Sequence, residues 1–141
     1  MNIIKSLEKL IINYNDAKCP GGYCCNYKFV IENDLLYLLT LLVERLEKRL
    51  YIKYLYKCID FNLIINGGNN YHALGLAIDV DTIQTKIEPL SLAQLSWDVG
   101  FNAIGVYGTN EKSGYKNKKG MVHLGIEPIK RYWGDWKPSL L

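Results

Sequence analysis

The chain has 141 residues, enough for one domain over 1–141 and short for two. Hydrophobic residues make up 49% and charged residues 22%, a globular composition that excludes a disordered chain. Its 17 basic and 14 acidic residues leave a net charge of +3, too mild to imply nucleic acid, though it favours an anionic polymer as a neighbour.

The N-terminus, Met1-Asn2-Ile3-Ile4-Lys5, has neither a long apolar core nor a small-residue cleavage site. No secretory signal is therefore expected. The expectation is accumulation in the cytoplasm or association with a virion, with exit by lysis. Residues 2 to 14 predict a first helix, because Ile3, Ile4, Leu7, Leu10 and Ile11 recur at helical spacing. Residues 15 to 26 read as a loop around Pro20-Gly21-Gly22. Asn33 or Asp34 is placed to cap a long helix running to about Arg49, with Leu35, Leu38, Leu39, Leu42, Val43 and Leu46 as its apolar set. Glu44 and Lys48 stand one turn apart on it. The charges from Glu44 to Arg49 break its apolar run below the ~18 residues of a membrane span, and none is expected elsewhere.

Tyr51 to Cys58, rich in aromatic and β-branched residues, predicts a strand. Asn66 to Asn70 is a glycine-bearing loop, and no Gly-Lys-Ser/Thr follows to make it a phosphate loop. Leu76 to Asp81 predicts a second strand. Ser91-Leu92-Ala93-Gln94 resembles a capping box, so a short helix is expected to about Val99. Ala103 to Tyr107 and Met121 to Ile126 predict two further strands. Between them lies a polar, basic loop with Lys112, Lys116, Lys118, Lys119 and Tyr115. Solvation is the plainer reading of that loop, with an acidic polymer or nucleic acid as the alternative. Trp133 and Trp136 either close the core or stack on sugar rings. The fold class expected is α+β: a small, mainly antiparallel sheet with helices packed on one face.

Cys19, Cys24, Cys25 and Cys58 follow C-x4-C-C and then a long gap, unlike the paired rhythm of a zinc ribbon. Without an export signal reduced thiols are the default, with a disulfide or a second metal site as alternatives.

Both histidines of the chain stand where a metal site needs them. His72 opens His72-Ala73-Leu74-Gly75-Leu76-Ala77-Ile78-Asp79, and His123 sits in an apolar strand further on. Imidazole and carboxylate are good ligands for one zinc ion, and three protein ligands leave a fourth position to water, as in catalytic sites. Gly75 and Ala77 are small enough for close backbone approach between the first two ligands. Two partly buried histidines with ordinary hydrogen bonds are the alternative.

The stretch from Tyr56 to Trp133 resembles the zinc D-alanyl-D-alanine carboxypeptidases, a family that includes the L-alanyl-D-glutamate endopeptidases of phage endolysins. Asn70-Tyr71-His72-Ala73-Leu74-Gly75-Leu76-Ala77-Ile78-Asp79 matches the motif S-x-H-x-x-G-x-A-x-D, with Asn70 in place of Ser. Leu55-Tyr56-Lys57-Cys58 resembles a G-Y-R-C segment, Gly105-Val106-Tyr107 a G-x-G-x-Y landmark, and Val122-His123 with Arg131-Tyr132-Trp133 the closing V-H and R-x-W elements. The resemblance implies the Hedgehog/DD-peptidase fold and His72, Asp79 and His123 as zinc ligands. It implies Asn70 and Tyr107 at the substrate, peptidoglycan stem peptides as substrate, and a monomer.

The departures are specific. Lys57 replaces an arginine expected to bind substrate or steady the oxyanion, keeping the charge but losing the bidentate fork. Gly120 and Gly125 stand where members carry a carboxylate base. Asp81 is the first candidate to replace it, ahead of Glu111 and Glu127. A non-catalytic member that keeps its metal is the rival expectation.

Overall fold

Leucine and isoleucine at helical spacing start the chain as a helix, but a backbone partner stops it early. The computed structural model describes residues 3–20, 29–58, 71–72, 74–108 and 120–139. Helix α1 spans Ile3–Leu10 and buries Leu7 and Leu10. It ends four residues before the sequence expectation because Leu50 takes over: Leu50 N–H donates to Leu10 O at 2.9 Å and Ile12 N–H to Leu50 O at 2.7 Å. A short 3₁₀ turn follows at Tyr14–Ala17.

Helix α2 spans Asn33–Leu46 and buries Leu35, Leu39 and Leu42. The residue at its N-cap is Glu32, without a side-chain bond, so neither Asn33 nor Asp34 caps it. It stops at Glu47, which takes a left-handed conformation at φ 55°. Lys48 therefore lies beyond the helix and cannot serve as a rung for Glu44. Its ammonium donates instead to Thr85 O at 3.3 Å and Lys86 O at 3.0 Å.

The strand expected over Tyr51–Cys58 is β1, Ile52–Tyr54 only. Beyond it the backbone turns to the N-terminal segment: Tyr56 N–H donates to Ala17 O at 3.1 Å and Cys58 N–H to Cys19 Sγ at 3.4 Å. Leu55, Tyr56, Lys57 and Cys58 are all buried there. The outer edge of β1 is closed by a side chain, since Asn13 both accepts from Ile52 N–H and donates to Ile52 O, each at 2.9 Å.

Strand β2, Ala77–Asp81, runs into the single turn α3, Thr82–Thr85. Helix α4 is Pro89–Val99. It begins two residues before the expected capping box, because Glu88 is the N-cap: its carboxylate accepts from Leu90 N–H at 3.1 Å and Ser91 N–H at 2.7 Å. Proline at the first helical position suits that start. Glu88→Ala is expected to cost about 0.5–2 kcal/mol, read as a lower urea midpoint; an unchanged midpoint would remove the cap from the account.

Strands β3, Ala103–Tyr107, and β4, Met121–Gly125, fall close to expectation, and β5, Arg131–Gly134, was not expected as a strand. The sheet order is β1-β2-β4-β3-β5. Its β1/β2, β2/β4 and β4/β3 pairs are antiparallel, and β5 joins β3 in parallel. The sheet is thus mixed within an α+β architecture. Alternation sends Ile78, Val80, Ile104, Val106, Val122 and Leu124 into one core with Leu7, Leu10, Leu35, Leu39, Leu42, Leu92 and Ala93 of the helices. The odd-numbered residues of the same strands face the other way and build the site.

Candidate metal centre

Antiparallel register places two polar residues opposite each other in an apolar sheet. Asp79 of β2 pairs with His123 of β4, which pairs with Gly105 of β3, which pairs with Trp133 of β5. These residues form one row across the sheet, on the face opposite Ile78, Val80, Ile104 and Val106. His123 Nδ1 lies 3.0 Å from Asp79 Oδ1.

His72 reaches the same carboxylate from the turn before β2. Leu76 N–H donates to Tyr71 O at 2.9 Å and Gly75 N–H to His72 O at 3.1 Å, closing a tight turn. Gly75 adopts φ +73°, and a Cβ there would lie 3.0 Å from Glu32 N and from Val30 Cγ1. Only glycine supplies that conformation and that clearance together. The turn sets His72 Nδ1 at 2.9 Å from Leu55 O and His72 Nε2 at 3.3 Å from Asp79 Oδ2. A backbone carbonyl accepts only from a protonated nitrogen, so Nδ1 carries a proton and Nε2 is the nitrogen turned toward Asp79, as where the other ring nitrogen of a metal-binding histidine is held by the protein.

The donor atoms of His72, Asp79 and His123 all lie within 4.8 Å of one another, and this group could hold a metal ion. The two rings meet edge to face, 5.2 Å between centroids. Lys57, itself buried, places its ammonium 3.3 Å from Asp79 Oδ2 and 4.3 Å from the Tyr54 ring centroid.

Burial pushes the Asp79 carboxyl up, but His72 and His123 outweigh it and hold the group well below the usual carboxylate range. Burial pushes His123 below the usual imidazole value, and the opposing pull of Asp79 is the smaller effect. Both shifts weaken the metal-free protein in acid. Folded His123 resists a proton that the unfolded chain accepts below about pH 6.5, so stability falls as pH drops through that region. The stability from ionised Asp79 is present above about pH 3.9 and is lost as pH falls through the folded value. Urea midpoints should therefore fall between about pH 7.5 and pH 5 and fall further below pH 4. A flat profile over the upper window would contradict the His123 assignment.

The other candidates are placed as follows. Asp81 is not part of the cluster; its Oδ1 accepts from Gln84 N–H at 2.9 Å and caps α3. Tyr107 accepts a bond at its hydroxyl from Trp133 Nε1 at 2.6 Å. Glu127 has a side chain only 8% exposed, and Arg131 bonds both its oxygens at 2.9 and 3.1 Å. Trp136 closes the core, donating to Ile104 O at 3.1 Å. Asn70, Glu111 and the basic loop lie outside the described residues, as do Cys24 and Cys25.

Comparison with family models, curated proteins and solved structures finds no match. The site therefore rests on its own geometry. The residues that the sequence reading did not assign to it are Leu55, whose carbonyl orients His72, and the pair Gly105 and Trp133 in the row. A glycine inside an otherwise apolar strand was the available signal, since it marks close approach by another group. No helix among the described residues is long and apolar enough to cross a membrane.

Proposed function

We propose that this chain is a zinc-dependent peptidase acting on peptidoglycan stem peptides, of the D-alanyl-D-alanine carboxypeptidase or L-alanyl-D-glutamate endopeptidase type, in a monomeric Hedgehog/DD-peptidase-like fold. The observation that carries the reading is the buried cluster of His72, Asp79 and His123 on adjacent central strands and the turn before them. Two imidazoles and one carboxylate suit zinc better than magnesium or calcium, which prefer all-oxygen sites. A single zinc ion held there would supply Lewis acidity toward a peptide carbonyl and ease deprotonation of water at neutral pH.

The protein's own contribution is orientation and charge. Leu55 O fixes His72 with Nε2 toward the cluster. Asp79 joins His72, His123 and Lys57 in one cluster of little-exposed side chains. Lys57, beside Asp79, is the proposed cation that steadies a developing oxyanion, and Tyr107 and Asn70 are the proposed substrate contacts. The choice of wall peptides rests on the motif resemblance, and a phage-type lysis role follows from it.

A second reading, a non-catalytic member that keeps its metal to bind wall peptide or a protein, is favoured by the carboxylates. Among the described residues, Gly120 and Gly125 carry none, Asp81 is committed to Gln84 N–H, and Glu127 is held by Arg131. The deciding experiment measures zinc content and stem-peptide hydrolysis on one sample, with His72→Ala as control. Cleavage that tracks zinc and vanishes in the variant supports the peptidase. Stoichiometric zinc without cleavage supports the second reading, and no zinc overturns both.

A further inference from the structure

A histidine ring must be held against rotation if a chosen nitrogen is to face its partner. Half a turn about χ2 exchanges Nδ1 with a ring carbon, and that torsion is broad and roughly two-fold. For His72 the Leu55 carbonyl does the holding. Among the described residues His123 has no such backbone partner: its Nε2 is buried and makes no hydrogen bond to them. What stands against the ring is Trp133, with centroids 5.2 Å apart and planes at 49°.

Trp133 is itself built into place. A Cβ on Gly105 would lie 2.2 to 2.6 Å from three atoms of the indole, so the ring lies across the sheet only because that residue is glycine. Trp133 Nε1 donates to Tyr107 Oη at 2.6 Å, which fixes the indole along the strand. Arg131 covers the indole, its guanidinium carbon 4.3 Å from the ring centroid. Arg131 is braced by both oxygens of Glu127, whose backbone is held in turn by two 2.8 Å bonds to the Asn102 side chain. This is more apparatus than covering a strand requires, and it ends on one imidazole.

We propose that Trp133, pinned by Tyr107 and laid across Gly105, is a positioning residue that holds the His123 imidazole with Nδ1 toward Asp79. Its geometry stands without a metal; its functional meaning rests on reading His72, Asp79 and His123 as ligands. With Nε2 sealed away, Nδ1 is the nitrogen presented to an ion. Tyr107 then acts through Trp133, as a second positioning residue, as well as at any substrate.

The test uses protein carrying isotope-labelled histidine, whose two side chains give separable signals. Long-range proton–nitrogen spectra of the metal-free wild type, Trp133→Ala and Tyr107→Phe are compared at neutral pH, and then with cadmium bound. Wild type is expected to show one locked tautomer at His123 and cadmium coupling to its Nδ1. Trp133→Ala should give averaged His123 signals with His72 unchanged, and lose cadmium affinity by about 10–100-fold. Tyr107→Phe should move both readouts the same way by less, and Trp133→Phe, which keeps a ring beside His123, should restore the coupling. A His123 that keeps its tautomer in Trp133→Ala and Tyr107→Phe overturns the proposal, whatever happens to their melting temperatures. Failure of wild type to take up cadmium or zinc would instead sink the ligand reading, and the metal-free spectra would still decide the positioning.

Discussion

Asp79→Ala is expected to destabilise the metal-free protein by about 3–5 kcal/mol at neutral pH and to abolish metal binding. Its side chain is only 3% exposed, and its carboxylate is shared by three partners. Removing it takes away the carboxylate that the buried Lys57 ammonium and both imidazoles share, which is the costly way to break a buried pair. Asp79→Asn keeps the shape and a hydrogen-bonding oxygen, so it should lose less stability while still losing the metal. Urea unfolding of chelator-treated protein gives the first quantity and titration with zinc the second. The gap between wild type and Asp79→Ala should narrow in acid, as the wild-type carboxyl gains its proton. A variant as stable as wild type at neutral pH would mean that Lys57 and the histidines do not depend on this group.

Gly105→Ala should have the next largest effect. The added carbon would fall 2.2 Å from Trp133 Cε2 and 2.3 Å from its Nε1, closer than atoms of a folded protein approach. The indole is ring-stiff, bonded to Tyr107 and covered by Arg131, so it cannot yield like the end of a flexible chain. Overpacking of this kind costs about 1–3 kcal/mol. Trp133 is expected to leave the sheet, changing the near-ultraviolet circular dichroism and weakening metal binding. Trp133→Ala made together with Gly105→Ala should recover the stability lost to the clash but not the metal affinity. Equal stability of Gly105→Ala and wild type would show that the indole has somewhere else to lie.

The group that could hold a metal was legible because polar residues in apolar strands are conspicuous, and because His72 and Asp79 flank a glycine that the turn requires. The pairing of Asp79 with His123 was not legible beyond a shared sheet, since register depends on contacts between distant segments. Strand β5 escaped for a related reason. Its four residues are largely exposed, so no alternation marks them, and parallel pairing with Ala103–Val106 makes them a strand. At α4 a Ser-x-x-Gln pattern suggested a start that Glu88 and Pro89 supply two residues earlier. Asp81 shows the limit of alternation itself: it shares the parity of Asp79, but as the last residue of β2 its carboxylate turns to the next amides. Tertiary partners, such as Leu50 for the end of α1, account for the remaining misplaced boundaries.

The row Asp79–His123–Gly105–Trp133 also has a consequence in time. It takes one residue from each of four strands, and β5 follows the other three in chain order. During synthesis the row cannot close before Trp133 has left the ribosome, so any ion the group holds would meet its final geometry only once β5 is in place. If the group takes zinc, the rate of its uptake by a refolding sample would accordingly time the arrival of β5, the strand that sets Trp133 beside His123.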